Sequence, residues 1–256
     1  MSATHLSDAR TARLRLEHLL ATDAGAIART LPPSFGDSVE RYGALLLEAN
    51  SRLNLTRITE PEDVARLHFL DALSALPIVD EIAPSRAVDL GSGGGVPGIV
   101  LALARPDVAW TLVDSVRKKC DALRDFADAL GLRTLTVVAD RAEVIGRDAA
   151  HRERYELVSA RACAALPVLV EYALPLASVG GALVAWKGPV GARDDEVVRG
   201  AAASALVGGG TPTIRDTGLA ALDRPRLVVI RKERATPPTY PRRTGEPSRR
   251  PLPVGR

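Results

Sequence analysis

The sequence predicts an α/β protein: a doubly wound, mostly parallel sheet with an antiparallel C-terminal edge strand, preceded by a small helical subdomain. Three observations predict it. Short apolar runs alternate with helical stretches from residue 86 to residue 206. The first run ends in an acid and a glycine-dense loop, Asp89-Leu90-Gly91-Ser92-Gly93-Gly94-Gly95-Val96-Pro97-Gly98. Two further β-like stretches, 211–222 and 226–230, follow the fifth strand and helix and close the sheet as a hairpin would.

The chain has 256 residues and 46% apolar content, which suits one α/β domain with extensions and a sizeable core. Cys120 and Cys163 have no CxxC or CxxH neighbours, so no disulfide framework or zinc site is indicated, and a reducing cytoplasm fits. Residues 1–17 lack the apolar core of a secretory signal, and no run approaches a membrane span. Net charge is +3, but residues 231–256 hold eight basic groups (Arg231, Lys232, Arg234, Arg242, Arg243, Arg249, Arg250 and Arg256) against Glu233 and Glu246. The positive excess therefore belongs to the tail. A Pro- and Arg-rich tail with few apolar residues reads as an arm for a polyanion, unable to fold alone.

Taken in order, residues 1–34 carry one helix-like stretch, 9–20, then Leu31-Pro32-Pro33, and read as a loosely held extension. Residues 35–80 form the helical subdomain. Val39, Tyr42, Leu45, Leu46 and Ala49 recur at helical spacing, and Thr59-x-x-Glu62 with Pro61 reads as a capping box opening a second helix that Pro77 ends. Residues 81–234 form the sheet domain, with strands at 87–90, 110–113, 135–139, 155–159 and 181–186. Ser115 reads as the N-cap of a helix that Gly131 stops. Residues 235–256 are the basic tail.

Ligands of a doubly wound sheet lie beyond the carboxyl ends of its strands, so strand-end residues are the candidates: the glycine loop, Asp114, Ala142, Glu143, Arg161 and Lys187. Five glycines in eight residues let backbone N–H groups approach a ligand closely, as in an anion cradle. Two cofactors compete for it. Gly93-x-Gly95-x-x-Gly98 satisfies a dinucleotide pattern, while Asp89-x-Gly91-x-Gly93-x-Gly95 is similar to the first motif of adenosylmethionine-dependent methyltransferases. Asp114, 23 residues after Gly91, suits the ribose hydroxyls that both cofactors contain. Asp89 suits the amino group of a methionine moiety, or the loop's own N–H groups, better than a phosphate. Glu143 follows the third strand, where an adenine ring is held in such folds.

Arg161 suits a carboxylate or an RNA phosphate, and Lys187 a phosphate. His68 reads as a structural histidine beside Asp71 rather than a base, and Cys163 as a small buried packing residue. No Tyr-x-x-x-Lys, Asn-Pro-Pro-Tyr or Pro-Cys motif is present. A ring nitrogen such as guanine N7 needs none of them. On this reading Gly93→Val abolishes donor binding, whereas Arg242→Ala alters only RNA affinity and its salt dependence.

Six ordered motifs, Asn54-Leu55-Thr56, His68-Phe69-Leu70-Asp71-Ala72, the glycine loop, Val113-Asp114-Ser115, Asp140-Arg141-Ala142-Glu143 and Ser159-Ala160-Arg161-Ala162, resemble the GidB/RsmG family of small-subunit rRNA methyltransferases. Tyr240-Pro241-Arg242-Arg243-x-Gly245-x-Pro247 is similar to the end many members carry. The resemblance implies a Rossmann-like class I methyltransferase sheet and methyl transfer from S-adenosyl-L-methionine to N7 of a guanine in the 530 loop of 16S rRNA. It implies 16S rRNA or a small ribosomal subunit precursor as partner, and a monomer is the default state. It places Gly91, Val96, Ala142, Glu143 and Arg161 on the family's cofactor positions, with Asp114 on the ribose acid; Gly93, Gly95 and Asp89 complete the cofactor set. Val96 departs from the larger apolar residue common there. No residue is assigned as a catalytic acid or base, and none as a metal ligand. The readings left open are a small-molecule acceptor, a nicotinamide oxidoreductase and an inactive RNA-binding assembly factor.

Overall fold

A computed structural model of the chain describes residues 2–188, 190–222 and 226–253. Arg256, counted above with the basic tail, lies outside the described residues. The first half of the helical region is α1 (Ala3–Thr22), α2 (Gly25–Ala28) and α3 (Phe35–Leu53). A second helical run, α4 (Pro61–Asp63), a π-helical segment (Val64–Leu70) and α5 (Asp71–Leu73), leads into α6 (Leu76–Ile82). Then come β1 (Arg86–Leu90), α7 (Gly98–Ala104), β2 (Ala109–Asp114), α8 (Arg117–Leu130), β3 (Leu135–Ala139) and α9 (Ala142–Ile145). The chain continues through β4 (Tyr155–Arg161), α10 (Leu166–Ala173), β5 (Ala177–Lys187), α11 (Asp195–Leu206), β6 (Thr213–Asp216), β7 (Arg226–Arg231) and α12 (Glu246–Arg249).

The seven strands form one sheet in the order β3-β2-β1-β4-β5-β7-β6. Strands β1 to β5 are parallel, and β7 runs antiparallel between β5 and the edge strand β6. Strand order reverses between β1 and β4, which is where an open α/β sheet leaves a crevice at its carboxyl edge. Asp89 lies directly opposite Ser159 in that pairing. One apolar core on one face joins the helical subdomain, α7 and α8 to the sheet, and a second on the other face joins α10 and α11 to it.

The extension at the N-terminus is not loosely held. α1 buries Ala9, Ala12, Leu16, Leu19 and Leu20 against the subdomain, each leucine worth about 1.5–3 kcal/mol. Arg13 fastens it, donating to Glu17 (2.9 Å), Asp37 (2.7 Å) and Glu40 (3.2 Å). The sequence reads as a loose extension because Asp37 and Glu40 lie on α3.

The tail is also placed. Pro247 and Leu252 are buried, and the Arg242 guanidinium grips Glu171 of α10, whose side chain is 0% exposed. The described tail, residues 235–253, folds here because it borrows a surface from the sheet domain rather than building a core. The expected capping box at Thr59 does not form: Glu60 is the N-cap and makes no side-chain cap bond. Pro77 opens α6 instead of closing the preceding helix, since a first-turn proline has no N–H to lose. β4 extends two residues further than the apolar run, which brings Arg161 into the strand.

Candidate active site

The glycine loop leaves β1 at Leu90 and is fastened on every side. The amides of Gly91 and Ser92 donate to the Val113 carbonyl (2.8 and 3.0 Å), and that of Gly95 donates to the Ser92 carbonyl (2.7 Å). The Gly93 N–H donates to Asp114 Oδ2 (3.0 Å), and the Tyr42 hydroxyl donates to the Gly94 carbonyl (2.8 Å). Gly91, Gly93 and Gly95 all have positive φ, the backbone region in which a side chain is disfavoured. Four of the loop's amides are therefore spent within the protein. A phosphate cradle needs them free, so the loop is not the anion cradle that its composition suggests.

Beneath the loop, Asp89 is wholly buried, its Oδ1 taking the Ser159 hydroxyl (2.7 Å) and its Oδ2 lying under Gly98 without a formed hydrogen bond. A methyl group on Gly98 would come 2.9 Å from that Oδ2, so the glycine is what lets the helix start pack on the acid. Asp89 thus lies beneath the loop with no surface presented to a ligand, and among the described residues its formed side-chain hydrogen bond is to Ser159 rather than to a loop N–H.

On the β2–β3 side of the loop is a cavity of about 400 Å³, walled by Gly91, Asp114, Ala142, Glu143, Tyr172 and Ser248. Asp114 Oδ1 accepts the Val116 N–H (2.8 Å), so this side chain, not that of Ser115, closes the turn into α8. Glu143 is buried, and its Oε1 accepts the Gly245 N–H from the tail (2.7 Å). Both carboxylates retain unused lone pairs toward the cavity they line. Cys163, expected as a buried packing residue, is exposed, and its Sγ stands 3.1 Å from where a Gly91 side chain would begin.

On the other side of Gly91, a cavity of about 160 Å³ is lined by Leu46, Thr56, His68, Gly93, Val96 and Arg161. It adjoins an open groove of about 680 Å³ that Asn54, Thr56, Arg57, His68, Arg161 and Ala162 line. Arg161 Nη1 donates to the Leu67 carbonyl (2.6 Å) and to Asp71 Oδ2 (2.9 Å), and Nη2 contacts His68 Nδ1 (3.1 Å). The π-helical winding of residues 64–70, one residue more per turn than an α-helix, brings Leu67, His68 and Asp71 together on this guanidinium. Among the described residues three of its five N–H donors are engaged, which leaves Nε–H and one N–H of Nη2 without a partner there.

The rRNA small subunit methyltransferase G model of the GidB family matches residues 36–209. The chain is 46% identical over 213 residues to the rRNA small subunit methyltransferase G of Roseiflexus castenholzii, covering 83% of this chain and 89% of that protein. To the protein of the same name from Symbiobacterium thermophilum it is 45% identical over 241 residues, covering 91% and 97%. The chain belongs to the GidB family of rRNA small subunit methyltransferases. Among solved structures, an O-methyltransferase from Bacillus cereus in complex with SAH has the same fold (TM-score 0.55, 16% identity, 85% of this chain and 100% of that one). So has a putative O-methyltransferase from Klebsiella pneumoniae (TM-score 0.53, 18% identity, 84% and 97%).

Within this methyltransferase, two cations singled out by the sequence are already satisfied. Lys187 is ion-paired with Glu196 (2.7 Å) and donates to the Ala164 carbonyl (2.8 Å), so it does not reach for phosphate. Arg242 belongs to Glu171. Sequence reasoning missed Tyr42 as the loop's clamp, Ser159 as the partner of Asp89 and Glu171 as the partner of Arg242. Only Ser159 left a signal, being level with Asp89 on an adjacent strand.

Two buried groups of the methyltransferase titrate in opposite senses. Burial pushes the Asp89 carboxyl up to about 6, with Ser159, Ser92, the Gly98 N–H and Arg161 drawing it part of the way back. Burial, then the Arg161 charge, lowers His68 to about 4, against a smaller upward pull from the Leu67 backbone. Asp89 binds its proton more tightly folded than unfolded, so its stabilisation is complete in acid and lost as pH rises through about 6. His68 binds its proton less tightly folded, so its contribution is present above 6.5 and lost as pH falls toward about 4. The two slopes oppose each other. Urea unfolding of Asp89→Asn should lose stability more steeply than wild type between pH 6.5 and about 4, by about 2 kcal/mol, and His68→Asn less steeply.

Proposed function

We propose that this chain transfers a methyl group from S-adenosyl-L-methionine to N7 of a guanine in the 530 loop of 16S rRNA, acting as a monomer in the cytoplasm. The observation that carries the reading is the electrostatics of the glycine loop. Asp114 takes the Gly93 N–H and Asp89 lies buried beneath, so the loop is backed by two carboxylates while four of its amides are spent. Such a field opposes a pyrophosphate and favours a ligand that carries a sulfonium and an ammonium group.

The residues present fit that ligand. Asp114 and Glu143 offer acceptors for ribose hydroxyls and an adenine amino group, and Ala142 leaves room beside them in the same cavity. Gly91, Gly93 and Val96 line the neighbouring cavity, and Gly95, at φ +100°, lets the loop turn there. The two remaining N–H groups of Arg161 suit the carboxylate of a methionine moiety. When bound, the cofactor supplies a methyl carbon made electrophilic by positively charged sulfur.

N7 of guanine carries a free lone pair and loses no proton on methylation, so this chain has to supply no base. His68 is not one: both ring nitrogens are already bonded, to Arg161 and Thr56. Its burial and the adjacent guanidinium keep it neutral at ordinary pH. The chain contributes alignment, which can be worth about 7–11 kcal/mol of a barrier when reacting atoms are held in line. The names of the curated relatives support small-subunit rRNA as the acceptor. One chain holds every residue of the candidate site, and no helix among the described residues is long and apolar enough to cross a membrane.

The test has two arms. Nucleoside mass spectrometry of 16S rRNA from a deletion strain should lack 7-methylguanosine at one 530-loop position. Purified protein should restore it with labelled donor, and comparing naked 16S rRNA with assembled subunits identifies the form it uses. An unchanged spectrum in the deletion strain overturns the reading.

A further inference from the structure

Thr56 joins two structural observations that the cofactor reading leaves unused. Thr56 lines both the small cavity beside the loop and the open groove. The Thr56 backbone is fixed by its own N–H, which donates to Asn50 Oδ1 (2.8 Å).

The proton positions around it follow from the partners. A guanidinium only donates, so His68 Nδ1, 3.1 Å from Arg161 Nη2, must be the unprotonated nitrogen. The neutral ring therefore carries its proton on Nε2, and Nε2–H donates to Thr56 Oγ1 (2.9 Å). The Ile58 N–H donates to the same oxygen (3.0 Å). Both lone pairs of the hydroxyl are then taken. Among the described residues no acceptor receives its hydrogen, so it is left for whatever enters the cavity that Thr56 lines. Arg161 thus fixes the tautomer of His68, and His68 turns Thr56 into a group that can donate and cannot accept.

We infer that Thr56 is a specificity-determining donor for the acceptor base, giving its hydrogen to O6 of the target guanine. The inference rests on the proposed guanine-N7 reading. On the Hoogsteen edge of guanine, O6 is an acceptor adjacent to N7; adenine presents a donor amino group there instead. A hydroxyl with free lone pairs could rotate to accommodate either base. One whose lone pairs are occupied by His68 and Ile58 accepts guanine and opposes adenine, because two donors would face each other. The same bond fixes the base at a second point next to the nitrogen that must meet the methyl carbon. The groove on the open side of Thr56, with Asn54 and Arg57 on its walls, is where a base carried on a polymer would enter.

The experiment pairs the protein with a changed base. 16S rRNA is assembled by ligation with guanine or 2-aminopurine at the methylated position; 2-aminopurine keeps N7 and the 2-amino group and lacks O6. The full chain is compared with Thr56→Val, which removes the hydroxyl at constant shape, and Thr56→Ser, which keeps it. Thr56→Val should lower kcat/KM on guanine about tenfold to a hundredfold, and Thr56→Ser should restore it. The dissociation constant for S-adenosylmethionine, from calorimetry, should stay within about twofold of wild type in both. Wild type should lose a similar factor on 2-aminopurine, with no further loss in Thr56→Val. Unchanged kcat/KM in Thr56→Val, or losses that multiply, overturns the inference. So does donor affinity falling by the same factor, which would assign the hydroxyl to the cofactor's carboxylate. Wild-type protein that leaves guanine N7 unmethylated would instead be the failure of the parent reading.

Discussion

Gly95→Ala should lose S-adenosylmethionine binding by at least about a hundredfold, while Gly93→Ala should lose less than about tenfold. Gly95 has φ +100°, and a Cβ there would come 2.6 Å from Ile99 Cδ1 and 3.0 Å from the Tyr42 hydroxyl. Ile99 is fully buried at the start of α7, and the Tyr42 hydroxyl holds the Gly94 carbonyl. The side chain cannot be accommodated without releasing the clamp that shapes the loop. Gly93 has φ +58°, where an alanine costs about 1–2 kcal/mol, and its nearest neighbour to a new Cβ is the Gly91 carbonyl at 3.8 Å. The sequence singled out Gly93, through Gly93→Val; the packing puts the larger effect of an alanine at Gly95. Calorimetric titration of both variants, with thermal unfolding as the control for folding, checks the order. Equal losses at the two positions would contradict it.

The second large effect is on stability. Arg242→Ala should cost about 3–5 kcal/mol, because it leaves the wholly buried Glu171 carboxylate without its counter-ion. Arg242 donates from Nε to both Glu171 oxygens (2.9 and 3.1 Å), from Nη2 to Oε2 (2.6 Å) and from its backbone N–H to Oε1 (2.8 Å). Replacing both partners by apolar residues, Arg242→Met with Glu171→Leu, should recover most of that loss, since no charge is then stranded. Urea unfolding of the single and double variants measures it. The composition of the tail implied instead a free arginine that contacts RNA. That role would leave stability unchanged and reduce by about one the slope of log affinity against log salt.

The sheet was legible because its signals are local. Strands β2, β4 and β5 are largely apolar runs that end in Asp114, Arg161 and Lys187, and Gly131, with φ +69°, stops α8 as its type requires. The carboxyl edge of the sheet, and hence the whereabouts of the site, followed from the alternation of strand and helix, whereas the switch point between β1 and β4 needed the strand order. The glycine loop was legible in the sequence; how its own amides are used was not. Whether an amide faces a ligand or a neighbouring carbonyl depends on Val113 and Asp114, about twenty residues away on another strand. The same holds for charge. Lys187 and Arg242 read as phosphate- or RNA-seeking because nothing in the sequence reports that Glu196 and Glu171 are opposite them. His68 was legible as structural, but the consequence of its tautomer needed the Arg161 and Thr56 distances.

The bond from the Gly245 N–H to Glu143 spans 102 positions, and Ser248 completes the wall of the cavity that Asp114 opens. During synthesis the chain emerges in order, so the sheet and both acids of that cavity exist well before its last wall does. The wall of this cavity is therefore completed only after every strand of the sheet has been made.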